Sequence, residues 1–357
     1  IDIVREQISV AAGNRLTFEQ KDIFQNGHAI EARIYAEDPE NDFLPSPGFM
    51  TLYTEPKGEG IRIDSGIDNP VEVKSFFDPM ISKLIAFGED REAAQQKLKH
   101  ALEHYHIQGL KTNISYLLSV LKNKKFQKNQ IDTKFCDHQS EALLLQIKED
   151  RELIPKPALL TAFLAHQLSA LKNESVWESI GFWRQRMHID IFLDEIEYEL
   201  RIQERKNKSG VLLIQNEEYK YCIKEINTGF IQVSINNDCY SFVLSKDLNS
   251  DTIMGYLGYN FVLRRKDVLV MSDFYETSQT GQASDIVKSP MPGKVIEIRV
   301  KVGDHVSKGD ILVVVEAMKM ENNILAGRDG VIEELNTSVG EMVDGRKLLL
   351  KFEEVME

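Results

Sequence analysis

The 357-residue sequence is poor in cysteine. Its three cysteines, Cys136, Cys222 and Cys239, are scattered, with no CxxC pair. That excludes a cysteine-based zinc site and a disulfide framework, and it fits a reducing compartment. No apolar run is long enough to span a bilayer. Positive charge is in deficit, with 43 Lys and Arg against 56 Asp and Glu and a net charge of −13. Nucleic acid and anionic membrane both need a basic surface, so neither is expected as a partner. The first residues, "IDIVREQISVAAGNRL", do not read as a signal peptide, because they have no basic start followed by an apolar core. Instead Ile3, Val4, Ile8 and Ala11 fall at helical spacing and Gly13-Asn14 ends the run. The chain is therefore expected to open on a helix already under way, inside a domain.

What is present is an ordinary globular balance, 42% hydrophobic and 28% charged, long enough for two or three domains. Residues 1–138 read as α+β. "GHAIEARIYAE" alternates as a strand, "FLPSPGFMTLYTEPKGEGIRID" mixes turns with short strands, and "DPMISKLIAFG" is strand-like. A helix follows, with Asp90 as N-cap and Ala94, Leu98, Ala101, Leu102 and Tyr105 on one face, and then a second in "NISYLLSVLKN". Residues 139–271 change character. "KPALLTAFLAHQLSALKN" predicts a helix with Pro157 in its first turn and an apolar stripe of Leu160, Phe163, Leu164, Leu168 and Leu171. Seven or eight alternating strands come next, with turns at Asn216-Glu217 and Asn236-Asn237-Asp238. The expectation is a small antiparallel barrel or strongly curved sheet against that helix, with His188 structural and no catalytic constellation. Residues 272–286 are polar and read as a linker of ~20 Å r.m.s. span.

Residues 287–357 contain an internal repeat. Gly293, Glu297, Val302, Gly303, Val306, Leu312 and Glu316 meet identical residues at Gly330, Glu334, Val339, Gly340, Val343, Leu349 and Glu353. Self-similarity of this kind reports a symmetric unit, here two halves of short strands forming a flattened sandwich about a pseudo-twofold axis. Across the end of the first copy runs "VVVEAMKMENN", in which Lys319, between the copies, stands between Met318 and Met320 after a valine run. The valines suit a buried strand and the lysine suits the hairpin tip that follows. As a bare residue Lys319 reads as a surface turn lysine; the symmetric frame and the flanking methionines set it apart.

"EAMKMEN", with "SPMPG" at Ser289–Gly293, resembles the biotinyl domain of biotin-dependent carboxylases. The resemblance implies that Lys319 carries biotin as an amide, which removes the charge and leaves a long neutral tether. It also implies that Met318 and Met320 offer adaptable apolar contacts to biotin protein ligase. Lipoyl domains share the architecture but typically show an acidic residue before the lysine and no Met-Lys-Met. Residues 1–138 resemble the C-terminal part of the biotin carboxylase domain, through "REQISVAAG", "GHAIEARIYAEDP", "FLPSPG", "DPMISKLIAFGEDREAA" and "GLKTN". In that family an ATP-grasp region precedes these stretches and supplies the ATP-binding lysines and metal-binding glutamates, none of which the sequence carries. In "GEGIRID", Arg62 matches the family's arginine at the biotin site; as a bare residue it reads as a strand arginine paired with Glu59 or Asp64.

The middle region resembles, by element order alone, the domain that docks the carboxyltransferase subunit in two-subunit acyl-CoA carboxylases. Roughly 150 residues are too few for the ~250 of a TIM-barrel carboxyltransferase, which argues against a pyruvate carboxylase layout. The resemblance thus implies a multidomain α+β and all-β chain: C-terminal part of a biotin carboxylase domain at 1–138, docking domain at 139–271, linker at 272–286, and biotinyl domain at 287–357. It implies an α subunit with biotin on Lys319 and, in the intact enzyme, ATP, Mg2+ and bicarbonate as reactants, Arg62 at the biotin site, and no metal ligand in this chain. Expected partners are a carboxyltransferase β subunit, an acyl-CoA reached through it, and biotin protein ligase, in a hetero-oligomer of the bacterial cytoplasm or mitochondrial matrix. Among acyl-CoA substrates 3-methylcrotonyl-CoA comes first, then propionyl-CoA and acetyl-CoA. Two rival expectations are a non-catalytic carrier and docking scaffold, and an unmodified β-sandwich binding module.

Overall fold

The structure, a computed structural model, describes residues 1–74, 78–170, 188–205, 208–247, 250–266, 286–289, 293–317, 320–344 and 347–353. Among the described residues, no helix is long and apolar enough to cross a membrane.

The opening helix, Ile3–Ala11, starts within the sequence rather than being under way at its first residue. Asp2 caps it, its carboxylate accepting from the Arg5 N–H at 3.0 Å, and Gly13 follows at φ 86°. None of its residues is buried. The α+β region is built on a three-stranded antiparallel sheet in the order His28–Tyr35, Met80–Gly88, Ile61–Ser65. Helix Arg91–Glu103 packs on its inner face, and Asp90 caps it by accepting from Ala93 N–H at 2.8 Å. The five residues expected on its apolar face, Ala94, Leu98, Ala101, Leu102 and Tyr105, are all buried.

A second long helix, Phe135–Leu153, runs through the expected 138/139 boundary. Its apolar stripe is sparse: only Phe135, Leu143, Ile147 and Asp150 are buried, too few for the sequence to announce a helix of that length. It anchors the next region by its charged residues instead. Asp150 pairs with Lys122 at 2.7 Å and accepts from the Tyr259 hydroxyl at 3.3 Å. Arg151 reaches Asp194 at 2.5 Å and the Asn260 carbonyl at 2.9 Å, with its guanidinium 4.3 Å from the Phe261 ring centroid.

Eight strands, from His188–Leu193 to Tyr259–Arg265, close into an antiparallel barrel in sequence order. Four of the connections are two-residue turns with both central residues at positive φ: Asp194-Glu195, Gln215-Asn216, Asn236-Asn237 and Leu257-Gly258. Turns of this type match the right-handed twist of the paired strands. The expected Asn216-Glu217 turn is thus displaced by one residue, since Ile214 pairs with Glu217. Helix Lys156–Ala170 departs from the single stripe expected of it. Every residue from Ala158 to Ala165 is buried, and this run joins one apolar cluster with Ile191, Leu200, Val233, Phe242 and Leu263 of the strands. A helix apolar all round is a core helix, and the barrel strands supply its surroundings. Leu160, Phe163 and Leu164 of the predicted stripe are buried; Leu171, and the side chains of Leu168 and His188, lie outside the described residues.

The same cluster continues into the α+β region through Leu84, Leu102, Ile107 and Leu118. Polar ties cross the seam: Asn260 Nδ2 donates to the Ile107 carbonyl at 2.8 Å, and the Thr51 and Ser245 hydroxyls lie 2.6 Å apart.

The last region has a core of its own, containing Val295, Leu312, Val315, Ile332, Leu349, Leu350 and Phe352. Its two four-stranded sheets run in the orders Ile286–Lys288, Leu348–Phe352, Gly330–Leu335, His305–Val306 and Met320–Leu325, Ile311–Ala317, Gly293–Ile298, Met342–Val343. Exchanging the repeat halves turns one order into the other, the pattern a pseudo-twofold demands. The details repeat as well. Each half has a bulge, at Val295/Glu297 and at Ile332/Glu334, and a glycine at φ 90°, Gly303 and Gly340. In each half an acid caps the turn three residues earlier, Asp304 accepting from Lys301 N–H at 2.8 Å and Glu341 from Ser338 N–H at 3.0 Å.

Candidate functional site

Arg62 sits on Ile61–Ser65, an edge strand of the three-stranded sheet. Alternation decides which way it faces. Its neighbours Ile61 and Ile63 pack against the core, while Arg62 and Asp64 are exposed on the opposite face. The two side chains form a fork: Nε donates to Asp64 Oδ1 at 2.8 Å and Nη2 to Oδ2 at 3.0 Å. This hydrogen-bonded carboxylate raises the guanidinium pKa further, so Arg62 is a cation at every working pH. The Asp64 alternative raised by the sequence is therefore realised.

Register builds the rest of the face. Across the sheet, Arg62 stands opposite Ile85, and Asp64 opposite Lys83; Lys83 in turn stands opposite Arg33, and Ile85 opposite Glu31. Arg33 donates through Nε to Glu31 at 2.9 Å. Three cations, Arg33, Lys83 and Arg62, thus share one open face with two carboxylates. On a chain of net charge −13 this is a locally cationic surface. The sequence argument found Arg62 but missed Lys83 and Arg33, which become neighbours only through strand pairing; the alternation in "GHAIEARIYAE" and "DPMISKLIAFG" was the available signal.

Beneath the strand lies a chain of hydroxyls. The Tyr53 hydroxyl donates to Glu55 at 2.7 Å and lies 2.8 Å from both the Ser65 and Tyr105 hydroxyls, and Tyr105 meets Ser82 at 2.7 Å. Burial holds the Tyr53 and Tyr105 hydroxyls in their protonated form. This network ties the end of the Arg62 strand to the core.

At the other candidate site, strands Ile311–Ala317 and Met320–Leu325 pair up to Ala317↔Met320. Met318 and Lys319 lie outside the described residues, as does the side chain of Met320. On the strand leading to them, Leu312, Val313, Val314 and Val315 are buried.

Comparison with known proteins gives this geometry a class. Residues 31–138 match the family model of the biotin carboxylase C-terminal domain, and residues 285–352 match the model described as biotin-requiring enzyme. The class is a biotin carboxylase C-terminal domain and a biotinyl-type domain carried on one chain. Methylcrotonoyl-CoA carboxylase subunit alpha, mitochondrial, of Dictyostelium discoideum is 32% identical over 373 residues, covering 98% of this chain and 52% of that protein. Propionyl-CoA carboxylase alpha chain, mitochondrial, of Homo sapiens is also 32% identical, over 375 residues, covering 99% of this chain and 50% of that protein. Over nearly its whole length the chain is similar to α chains of methylcrotonoyl-CoA and propionyl-CoA carboxylases. It spans about half the length of the curated relatives it matches. Among solved structures, the biotin carboxylase domain of Hydrogenobacter thermophilus 2-oxoglutarate carboxylase, in complex with MgADP, ADP and bicarbonate, is 38% identical, with 40% of this chain and 32% of that chain covered and a TM-score of 0.39.

Proposed function

We propose that the chain serves as the biotin-carrying α subunit of an acyl-CoA carboxylase, with biotin attached to Lys319. The observation that carries this reading is the family match toward both ends of the chain, with "EAMKMEN" running from one strand into its paired neighbour in the duplicated sandwich. Biotin, when bound, would supply a ureido nitrogen as acceptor for CO2, with negative charge on the ureido oxygen once the nitrogen has given up its proton. Arg62 suits that chemistry. Its guanidinium is permanently charged and exposed, and Asp64 occupies only its Nε–Nη2 edge, leaving other N–H groups for an anionic oxygen. In the intact enzyme the reactants are ATP, Mg2+ and bicarbonate. Met318 and Met320 flank the attachment point as adaptable contacts for biotin protein ligase.

The preferred acyl acceptor is 3-methylcrotonyl-CoA, on a carboxyltransferase β subunit that docks at the helix-in-barrel domain, residues 139–271. Propionyl-CoA is the second reading, favoured by the equal identity to the propionyl-CoA carboxylase chain. The mitochondrial relatives favour the matrix for a eukaryotic source.

The test has two stages. Incubation with biotin protein ligase, biotin and ATP adds one biotin mass to the chain and none to Lys319→Arg; an unmodified wild type sinks the carrier reading. Assay of the biotinylated complex with candidate β subunits and each acyl-CoA then ranks the substrates by kcat/KM. Bicarbonate- and biotin-dependent ATP turnover by this chain alone separates an enzyme from a docking scaffold.

A further inference from the structure

We propose that Asp64 is a positioning residue for Arg62: its carboxylate holds the guanidinium so that the free edge points away from the sheet toward a neutral ureido ligand. This rests on the reading of Arg62 as the biotin-facing arginine. Three observations carry it. First, the pair is bidentate, with both carboxylate oxygens engaged at 2.8 and 3.0 Å. Other in-strand pairs at the same two-residue spacing are looser: Arg33 reaches Glu31 through Nε at 2.9 Å, and Arg299 reaches Glu297 through Nη2 at 2.9 Å, one bond each. A fork fixes the plane of a guanidinium, whereas a single bond leaves it free to swing.

Second, the Arg62 side chain is 74% exposed, so packing does little to order it. A long exposed side chain must lose its rotamer freedom when it engages a ligand, and a partner already holding it removes much of that cost. Third, Asp64 stands opposite Lys83 in register, on the same cationic face. A carboxylate set between two cations tempers their mutual repulsion while leaving the arginine charged. The competing possibility is that Asp64 obstructs, occupying donors the ligand needs. The two views predict opposite signs.

The experiment titrates the full chain with biotinamide, a neutral analogue of lysine-linked biotin, while following the Arg62 Nε–H resonance by NMR. The wild-type resonance shifts saturably. Asp64→Asn weakens binding by about fivefold, the scale set by ordering one mobile side chain, and Asp64→Glu, which keeps a carboxylate in reach, recovers most of it. The thermal midpoint of Asp64→Asn stays at the wild-type value, because an exposed pair contributes little stability; a lowered midpoint with unchanged affinity marks a purely structural role and overturns the proposal. Affinity equal to or tighter than wild type in Asp64→Asn also overturns it, and leaves the role of Arg62 standing. Undiminished binding by Arg62→Ala, or no shift in wild type up to the solubility limit of biotinamide, removes the Arg62 reading and the proposal with it.

Discussion

Two all-β regions of this chain solve the problem of a small core in different ways. The sandwich of residues 286–353 duplicates one unit and closes the copies on each other, so its apolar residues form a separate cluster. The barrel of residues 188–266 is filled by a helix that precedes it, and its cluster runs on into the α+β region. The difference teaches that a β region can be a module or a component. Symmetric self-burial makes the sandwich complete without its neighbours, and a borrowed core makes the barrel inseparable from helix 156–170 and from the sheet beyond it.

The largest expected effect tests the borrowed core. Phe163 is 1% exposed on the helix among the barrel strands. Phe163→Ala costs about 3–5 kcal/mol and lowers hydrogen-exchange protection in both the barrel and the 80–122 segment, while the sandwich keeps its own calorimetric transition. Loss confined to the barrel breaks the comparison. The counterpart, Leu350→Ala in the sandwich core, costs about 2–5 kcal/mol and leaves protection across residues 28–266 unchanged.

A smaller effect sharpens the symmetry. Gly303 and Gly340 both sit at φ 90°, and a Cβ at either meets nothing within 4 Å. The substitution to Ala is therefore a backbone test free of clashes, costing about 1–2 kcal/mol at each site. Chemical denaturation of the two variants gives matching losses if the halves are equivalent; a marked inequality breaks the twofold.

The smallest effect is a pH dependence of the joint body. Burial, helped by the nearby His104, lowers the His106 pKa from 6.5 to about 4. Between those values the unfolded chain binds a proton that the folded chain refuses. Stability from this group is thus complete above pH 6.5 and is lost as pH falls toward about 4. The thermal midpoint of the body declines across that window, and His106→Gln reduces the decline, with His166, also lowered by burial, contributing to what remains.

The depth of sequence legibility follows the range of the interactions. The helix Arg91–Glu103 was readable because its cap and its apolar spacing are local. The sandwich was readable because duplication writes a tertiary symmetry into one dimension. Helix Phe135–Leu153 was not readable, because it is held by Asp150 and Arg151 reaching Lys122, Tyr259 and Asp194 rather than by its own stripe. The motif singled out Arg62 as a candidate, whereas the face it shares with Lys83 and Arg33 follows only from strand register.

By itself the sequence determined the duplicated sandwich, since the repeat is written in residues periodic along the chain. Only the tertiary structure decided that the barrel closes with its helix as part of the core, and that Arg62 is held in a carboxylate fork on a cationic face. Strand register and shared burial join residues far apart in the chain, and no local pattern encodes which distant partner completes them.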